Sequence, residues 1–453
     1  MIFYLIYFLV GFVFAFMVLK NPDNFFKIFL ASIIIGSGAK IEGYPVLDEF
    51  WIIMLLFGLF LRKFLIKRLN TEKKKDKNYN LHEKVFILLT IYFLFQSFRG
   101  GIWLEDPRML RWVIFFIIII IIFFIFSNLK QTIDPHYANK IVLYSTTIYF
   151  LLLFVLSYIY ELSTGKSKGG VLQELYVSGS TVSTFTIILY VIALINFNQA
   201  NKSIKNNIKG LSLFVFFSFI IVTSTVVYYD SRAGVFTILG ALGLNFLFQF
   251  LQRNKRGLMQ FFLIISFLIG YQFWAINYSE GLKIQDFLPI DSELNLVLPD
   301  NLAQQNEGQG RARYLAPKAS FDFLTKDLFH ALFGYGWYMS RYELIEPIRQ
   351  MRKHEQLIRL NFSKDKPYQA AGVIALMVDT GFIGIFLYLL NLLLGFLAIL
   401  KSQNNNKYVI SIIYLSVILF SFVGTLTSVL LFYFWVMPKN PVILMLEKNE
   451  SKT

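Results

Sequence analysis

Apolar residues recur along this chain in runs of thirteen to twenty, and that repetition leaves few folds open. A helix needs roughly 20 mostly apolar residues to cross the hydrocarbon core of a bilayer. Such runs lie at 2–19, 25–39, 48–66, 85–98, 109–127, 141–160, 181–198, 211–229, 234–251 and 258–277. After a long polar stretch come 382–400, 408–423 and 425–437, the last two joined at Gly424 and readable as one broken helix. The run at 25–39 is short enough to be re-entrant. The pattern predicts an all-α fold, a polytopic transmembrane bundle of 12–13 spans.

Composition closes off the alternatives. Only 16% of the 453 residues are charged and 56% are apolar, whereas a soluble domain carries about 25% charged residues. Mean hydropathy is +0.57. A soluble enzyme with a small anchor and a disordered chain are both excluded. With no cysteine, so are disulfide scaffolds, thiolate metal sites and cysteine nucleophiles. Met1 to Leu19 lacks a basic leader and a small-residue cleavage site, so it reads as a retained first span.

The net charge of +15 follows from insertion topology, because basic residues collect in cytoplasmic loops. No nucleic-acid motif accompanies it, and no nucleic-acid partner is expected. The segment Arg62 to Lys84 holds nine basic residues, among them Lys73, Lys74, Lys75 and Lys77. Alternate loops repeat the bias at Lys202, Lys205 and Lys209, at Arg253, Lys255 and Arg256, and at Lys401 and Lys407. These loops are placed in the cytoplasm, and 99–108, 161–180, 230–233 and 278–369 outside.

The organisation that results is one integrated membrane domain. Residues 1–277 form an N-terminal bundle of about ten spans, 278–369 an extracytoplasmic loop, and 370–453 the C-terminal spans and a cytoplasmic tail. The loop is acidic from Glu280 to Glu307 and basic from Arg311 to Lys366. Phe321, Leu324, Leu328 and Leu332 recur at threes and fours, which predicts amphipathic helices over the outer mouth of the bundle, with Pro317 near a helix start.

Arginines gather at the outward ends of the spans. Arg99 ends one, Arg108 and Arg111 begin the next, and Arg232 sits in Asp230-Ser231-Arg232-Ala233-Gly234 between two apolar runs. One reading is snorkelling at the headgroup boundary. The other is a shared clamp, because planar guanidinium forks match phosphate oxygens. Arg311, Arg313 and Arg341 in the outer loop extend the set. Between them lies Phe333-Gly334-Tyr335-Gly336-Trp337, a turn or an anion nest. Asp379 opens the next apolar run in Asp379-Thr380-Gly381-Phe382-Ile383-Gly384, where an interrupted helix is expected. Its readings are a helix cap, a structural ion-pair partner or a functional carboxylate. Of the four histidines, His82 and His136 fall on the cytoplasmic side; His330 reads as packing, and His354 beside Glu355 as solvated surface or a general base. No metal-ligand cluster, Walker loop, dinucleotide fingerprint or nucleophile elbow occurs in the sequence.

Four of these features resemble the O-antigen ligase and O-antigen polymerase superfamily of bacterial membrane glycosyltransferases. They are Ser231-Arg232 at the outer start of a span, the long late outer loop, Arg311 or Arg313 followed some twenty residues on by Phe-Gly-Tyr-Gly at 333–336, and Asp379 to Gly384. Arg108 and Arg111 match no motif of the family and rest on the charge argument alone. The resemblance implies transfer of a glycan from a polyprenyl-diphosphate donor at the outer face of the bacterial plasma membrane. On the residues themselves no cofactor and no metal are expected: the arginines would hold the diphosphate, and Asp379, His354 and Glu355 are the candidate bases. Partners are then the lipid-linked glycan and membrane lipid, with a chain-length regulator as a further one. Ligase-type members carry a His-Asn pair about eleven residues before the glycine equivalent to Gly381; here Ala370-Ala371 stands there. That departure favours a polymerase over a ligase. A flippase for the same lipid-linked sugar is the rival from another class, but it needs charges along the bundle interior and usually an internal repeat.

Overall fold

The structure is a computed structural model, and it describes residues 2–36, 47–66, 79–104, 110–128, 135–164, 186–195, 208–228, 238, 240, 243, 324, 327–343, 372–402, 407–423 and 437–438. Among these every regular element is a helix. They are α1 (Ile2–Lys20), α2 (Asn24–Gly36), α3 (Leu47–Ile66), α4 (Leu81–Leu104), α5 (Leu110–Asn128), α6 (Pro135–Thr164), α7 (Thr186–Ile195) and α8 (Ile208–Tyr228). Two short helices, α9 (Leu328–Phe333) and α10 (Ser340–Glu343), lie in the predicted outer loop; α11 (Gly372–Lys401) and α12 (Lys407–Val423) follow. Three stretches, Leu81–Ile102, Tyr137–Ser163 and Ala375–Lys401, are long and apolar enough to cross a membrane. The chain therefore carries the marks of a membrane protein.

Contacts divide the helices between two ends. α1 and α3 run parallel: Trp51 stacks on Tyr7 at 4.0 Å and donates to its carbonyl, and eleven residues on Arg62 donates to the carbonyls of Leu19 and Lys20 at 2.6 and 2.8 Å. That guanidinium satisfies carbonyls that the end of α1 leaves without an intrahelical partner. Gly58 allows the close approach, since a Cβ there would lie 2.5 Å from the Ala15 carbonyl oxygen. At the same end Phe126 of α5 packs on Phe25, Phe26 and Phe29 of α2, Tyr79 on Phe123, and Lys27 lies over the Tyr137 ring. α4 and α11 are antiparallel, with Tyr92 near Gly384 and His82 near Gly395.

Several buried hydroxyls are answered within the apolar bundle, as a medium without water favours. Thr90, Ser97, Thr147 and Thr225 each donate to the carbonyl four residues back. Ser218 of α8 lies 2.6 Å from Thr147 of α6 and 3.0 Å from the Tyr190 hydroxyl of α7.

Helix bounds differ from the sequence expectation in two informative places. The run expected at 85–98 extends over Leu81–Leu104, and the one expected to open at Phe382 begins at Gly372. The expected interruption is present: Gly381 (φ 66°, ψ −170°) breaks α11 into two helical halves. The amphipathic repeat is corrected in part. Leu324 is buried, but Leu328 is 76% and Leu332 38% exposed, so the repeat does not present one face to the core. The expected spans at 234–251, 258–277 and 425–437 fall largely outside the described residues.

Candidate functional site

The kink in α11 creates the site. A helix leaves its last carbonyls without intrahelical partners, and here partners come from elsewhere in the chain. The N–H of Tyr335 donates to the Val378 carbonyl and that of Gly336 to the Asp379 carbonyl, each at 2.9 Å. The Tyr92 hydroxyl of α4 donates to the Thr380 carbonyl at 2.7 Å. On the other side of the turn, the Trp337 N–H donates to the Gln96 carbonyl of α4 at 2.9 Å. The segment 334–337 is thus laced between α4 and α11.

Glycines make that fit possible. A Cβ on Gly334 (φ 69°) would stand 2.5 Å from the Asp379 carbonyl oxygen, and one on Gly381 would meet the Leu332 carbonyl and the Gly334 nitrogen. Gly100 lies against the Trp337 carbonyl. Trp337 is the anchor, its ring 5.0–5.8 Å from those of Phe93, Trp112 and Phe116. Tyr338 follows at φ 75°, a non-glycine in the left-handed region, with its ring against Trp112.

Three groups give this seam its polar character. The Phe333 carbonyl, at the end of α9, receives Gln96 Nε2 at 2.9 Å and Arg99 Nη1 at 3.2 Å. The Arg99 guanidinium also lies 4.9 Å over the Phe329 ring. A guanidinium has five N–H donors, and the Phe333 carbonyl takes one of them. The Asp379 carboxylate is buried, and its Oδ1 accepts from the Ser340 N–H at 2.6 Å, the first residue of α10. It therefore holds the first N–H of α10, a helix from the outer loop.

The third group was not anticipated. Asp327 caps α9 by accepting from the Phe329 N–H at 3.1 Å, and its other oxygen meets His330 Nδ1 at 2.5 Å. These two bonds hold the Asp327 carboxyl below its usual range. The His330 ring stacks on Tyr335, centroids 4.1 Å apart and planes 13° apart. Burial pushes the Tyr335 phenol up, with the Glu343 and Asp327 charges adding to it, and burial also raises the Glu343 carboxyl against the opposing pull of His330.

The comparison with known proteins returns no relative. No protein-family model, curated protein or solved structure matches the chain.

Of the expected site residues, Arg99 and Asp379 meet at the seam, together with the Phe333–Trp337 turn. Arg111 lies in the first turn of α5, one residue before Trp112, and Arg341 lies in α10, one residue after Ser340. Arg108, Arg232, Arg311, Arg313, His354 and Glu355 lie outside the described residues. Among the described residues no group of three or more His, Asp or Glu is placed to hold a metal ion. The Asp327–His330 pair was legible as an acidic residue three positions before a histidine, though that spacing is equally ordinary surface pairing.

Proposed function

We propose that the chain is a polytopic membrane glycosyltransferase that polymerises polyprenyl-diphosphate-linked oligosaccharide repeat units at the outer face of the bacterial plasma membrane. The observation that carries this reading is the meeting of Arg99 with the Phe-Gly-Tyr-Gly turn and the Asp379-Thr380-Gly381 kink. Arg99 lies more than 230 residues from the other two in the chain, and those two belong to the resemblance. In this reading the departing diphosphate gathers negative charge, which guanidinium groups at the bundle mouth stabilise. The apolar spans hold the polyprenyl tail, and the outer loop covers the sugars and limits water. Ala370-Ala371 in place of the His-Asn pair favours polymerase over ligase.

Removing the protein distinguishes the readings in cells. The polymerase reading expects single repeat units in place of long glycan. Full-length glycan left on the polyprenyl carrier would mean a ligase, and repeat units held on the cytoplasmic leaflet would mean a flippase.

The reading also fixes which end faces out. Lys20, Lys27 and Arg62 share one end of the bundle, and Arg99 and the seam occupy the other end of α4. The cysteine-free chain allows single cysteines to be placed at will. An impermeant thiol reagent in intact cells with a permeable outer barrier should label Lys318→Cys and leave Lys75→Cys unmodified. The reverse pattern would invert the topology.

A further inference from the structure

We propose that Asp327 and His330 form the proton-accepting pair of this site, with His330 Nε2 taking the proton of the acceptor hydroxyl. The proposal rests on the glycosyl-transfer reading and assigns the base that this reading needs. An ionised carboxylate only accepts hydrogen bonds, so the bond at Asp327 Oδ2 places the imidazole hydrogen on Nδ1. In the neutral ring, Nε2 is then left as the acceptor. A carboxylate that fixes tautomer and ring orientation, with the far nitrogen facing the reaction, is the arrangement general-base chemistry requires.

The ring is held on a second side by its stack on Tyr335, whose backbone is tied to Val378 at the kink. Base orientation is thereby coupled to the seam. His330 is part-exposed, its side chain 26% accessible, and Phe329 next to it lies under the Arg99 guanidinium. The six-residue helix α9 therefore carries the proton acceptor, and the Arg99 guanidinium of α4, a cation suited to a diphosphate, lies over the ring of the residue before it. Among the described residues, the charged and titratable groups around it are Asp327 at the N-terminus of α9, Tyr335 in the turn, Glu343 from α10, Arg99 from α4 and Asp379 from α11. The Asp379 carboxylate accepts from Ser340.

In the step itself, the acceptor oxygen bonds to the anomeric carbon as the bond from that carbon to the diphosphate oxygen breaks. The diphosphate leaves with the electron pair, the hydroxyl proton passes to His330 Nε2, and the imidazolium returns it to water outside.

The test uses the full chain in liposomes, with lipid-linked oligosaccharides extracted from cells that lack it. General bases contribute about 10²–10⁴-fold, so His330→Gln should lower kcat at least about a hundredfold with the donor KM little changed. Asp327→Asn should lower it by roughly tenfold or more. Parental kcat in His330→Gln would overturn the proposal. A second measurement needs no turnover: diethyl pyrocarbonate labels neutral, accessible imidazoles and is read residue by residue by mass spectrometry. His330 should be labelled, and Asp327→Asn should change its labelling rate at fixed pH, because the carboxylate that sets the ring's tautomer is gone. An unlabelled His330, or a labelling rate unchanged in Asp327→Asn, would overturn the pair. A parent that labels as expected yet turns over no lipid-linked oligosaccharide would instead overturn the glycosyl-transfer reading, and the role with it.

Discussion

Gly381→Val is expected to cost about 3 kcal/mol or more, enough to lower both membrane abundance and the thermal midpoint of the purified protein sharply. The backbone there (φ 66°, ψ −170°) occupies a region essentially reserved for glycine. Valine is β-branched, and its Cβ would land on the Leu332 carbonyl and the Gly334 nitrogen. Both are backbone atoms that cannot rotate aside. Gly334 faces the same problem from the other side, so the two glycines permit each other's approach. Gly240→Ala is the control, because a Cβ there would meet nothing within 4 Å. A Gly381→Val protein as stable as the parent would remove the kink from the account.

The second large effect is expected at the arginines. Arg232→Lys and Arg99→Lys keep the charge and lose the planar fork. Losing one charge-assisted contact to a phosphate should cost about 1.5–3 kcal/mol, roughly ten- to a hundredfold in rate. For Arg99 a lysine still has donors for the Phe333 carbonyl, so the seam should hold while transfer falls. Had either arginine only anchored a helix end at the interface, lysine would serve equally well. Membrane levels matched to the parent, together with full-length glycan from both variants, would take them out of the site.

Much of this arrangement was legible in short pieces. The apolar runs located most of the described helices to within a few residues, because span length follows from bilayer thickness. The break near Asp379 was also legible, since glycine next to an acidic residue rarely continues a buried helix. That the helix resumes upstream, from Gly372, was not, because its first half is stabilised by donors from Tyr335 and Gly336 that are remote in sequence. The same limit hid the seam: Phe333 and Gln96 are 237 residues apart, and neither residue alone signals the other.

The outer loop misled in a different way. Leucines at threes and fours mark a helix face, but that spacing does not say whether the face meets protein. Leu328 and Leu332 are exposed, and Leu324 is buried. His330 was read as packing, and it does pack, on Tyr335. Its bond to Asp327 is the part that carries chemistry, and spacing alone did not separate that pair from a solvated one. Asp379 had three readings, and the bond from Ser340 makes its carboxylate a holder of the loop.

The central claim is that this chain joins sugars and does not merely carry them. Purified protein in liposomes, supplied with lipid-linked repeat units in the presence of EDTA, is the most direct measurement. Glycans lengthened by whole repeats are expected, with one polyprenyl diphosphate released for each bond formed and no need for added magnesium or manganese. Repeat units that change leaflet with no new glycosidic bond, or activity that vanishes with chelator and returns with the metal, would contradict it.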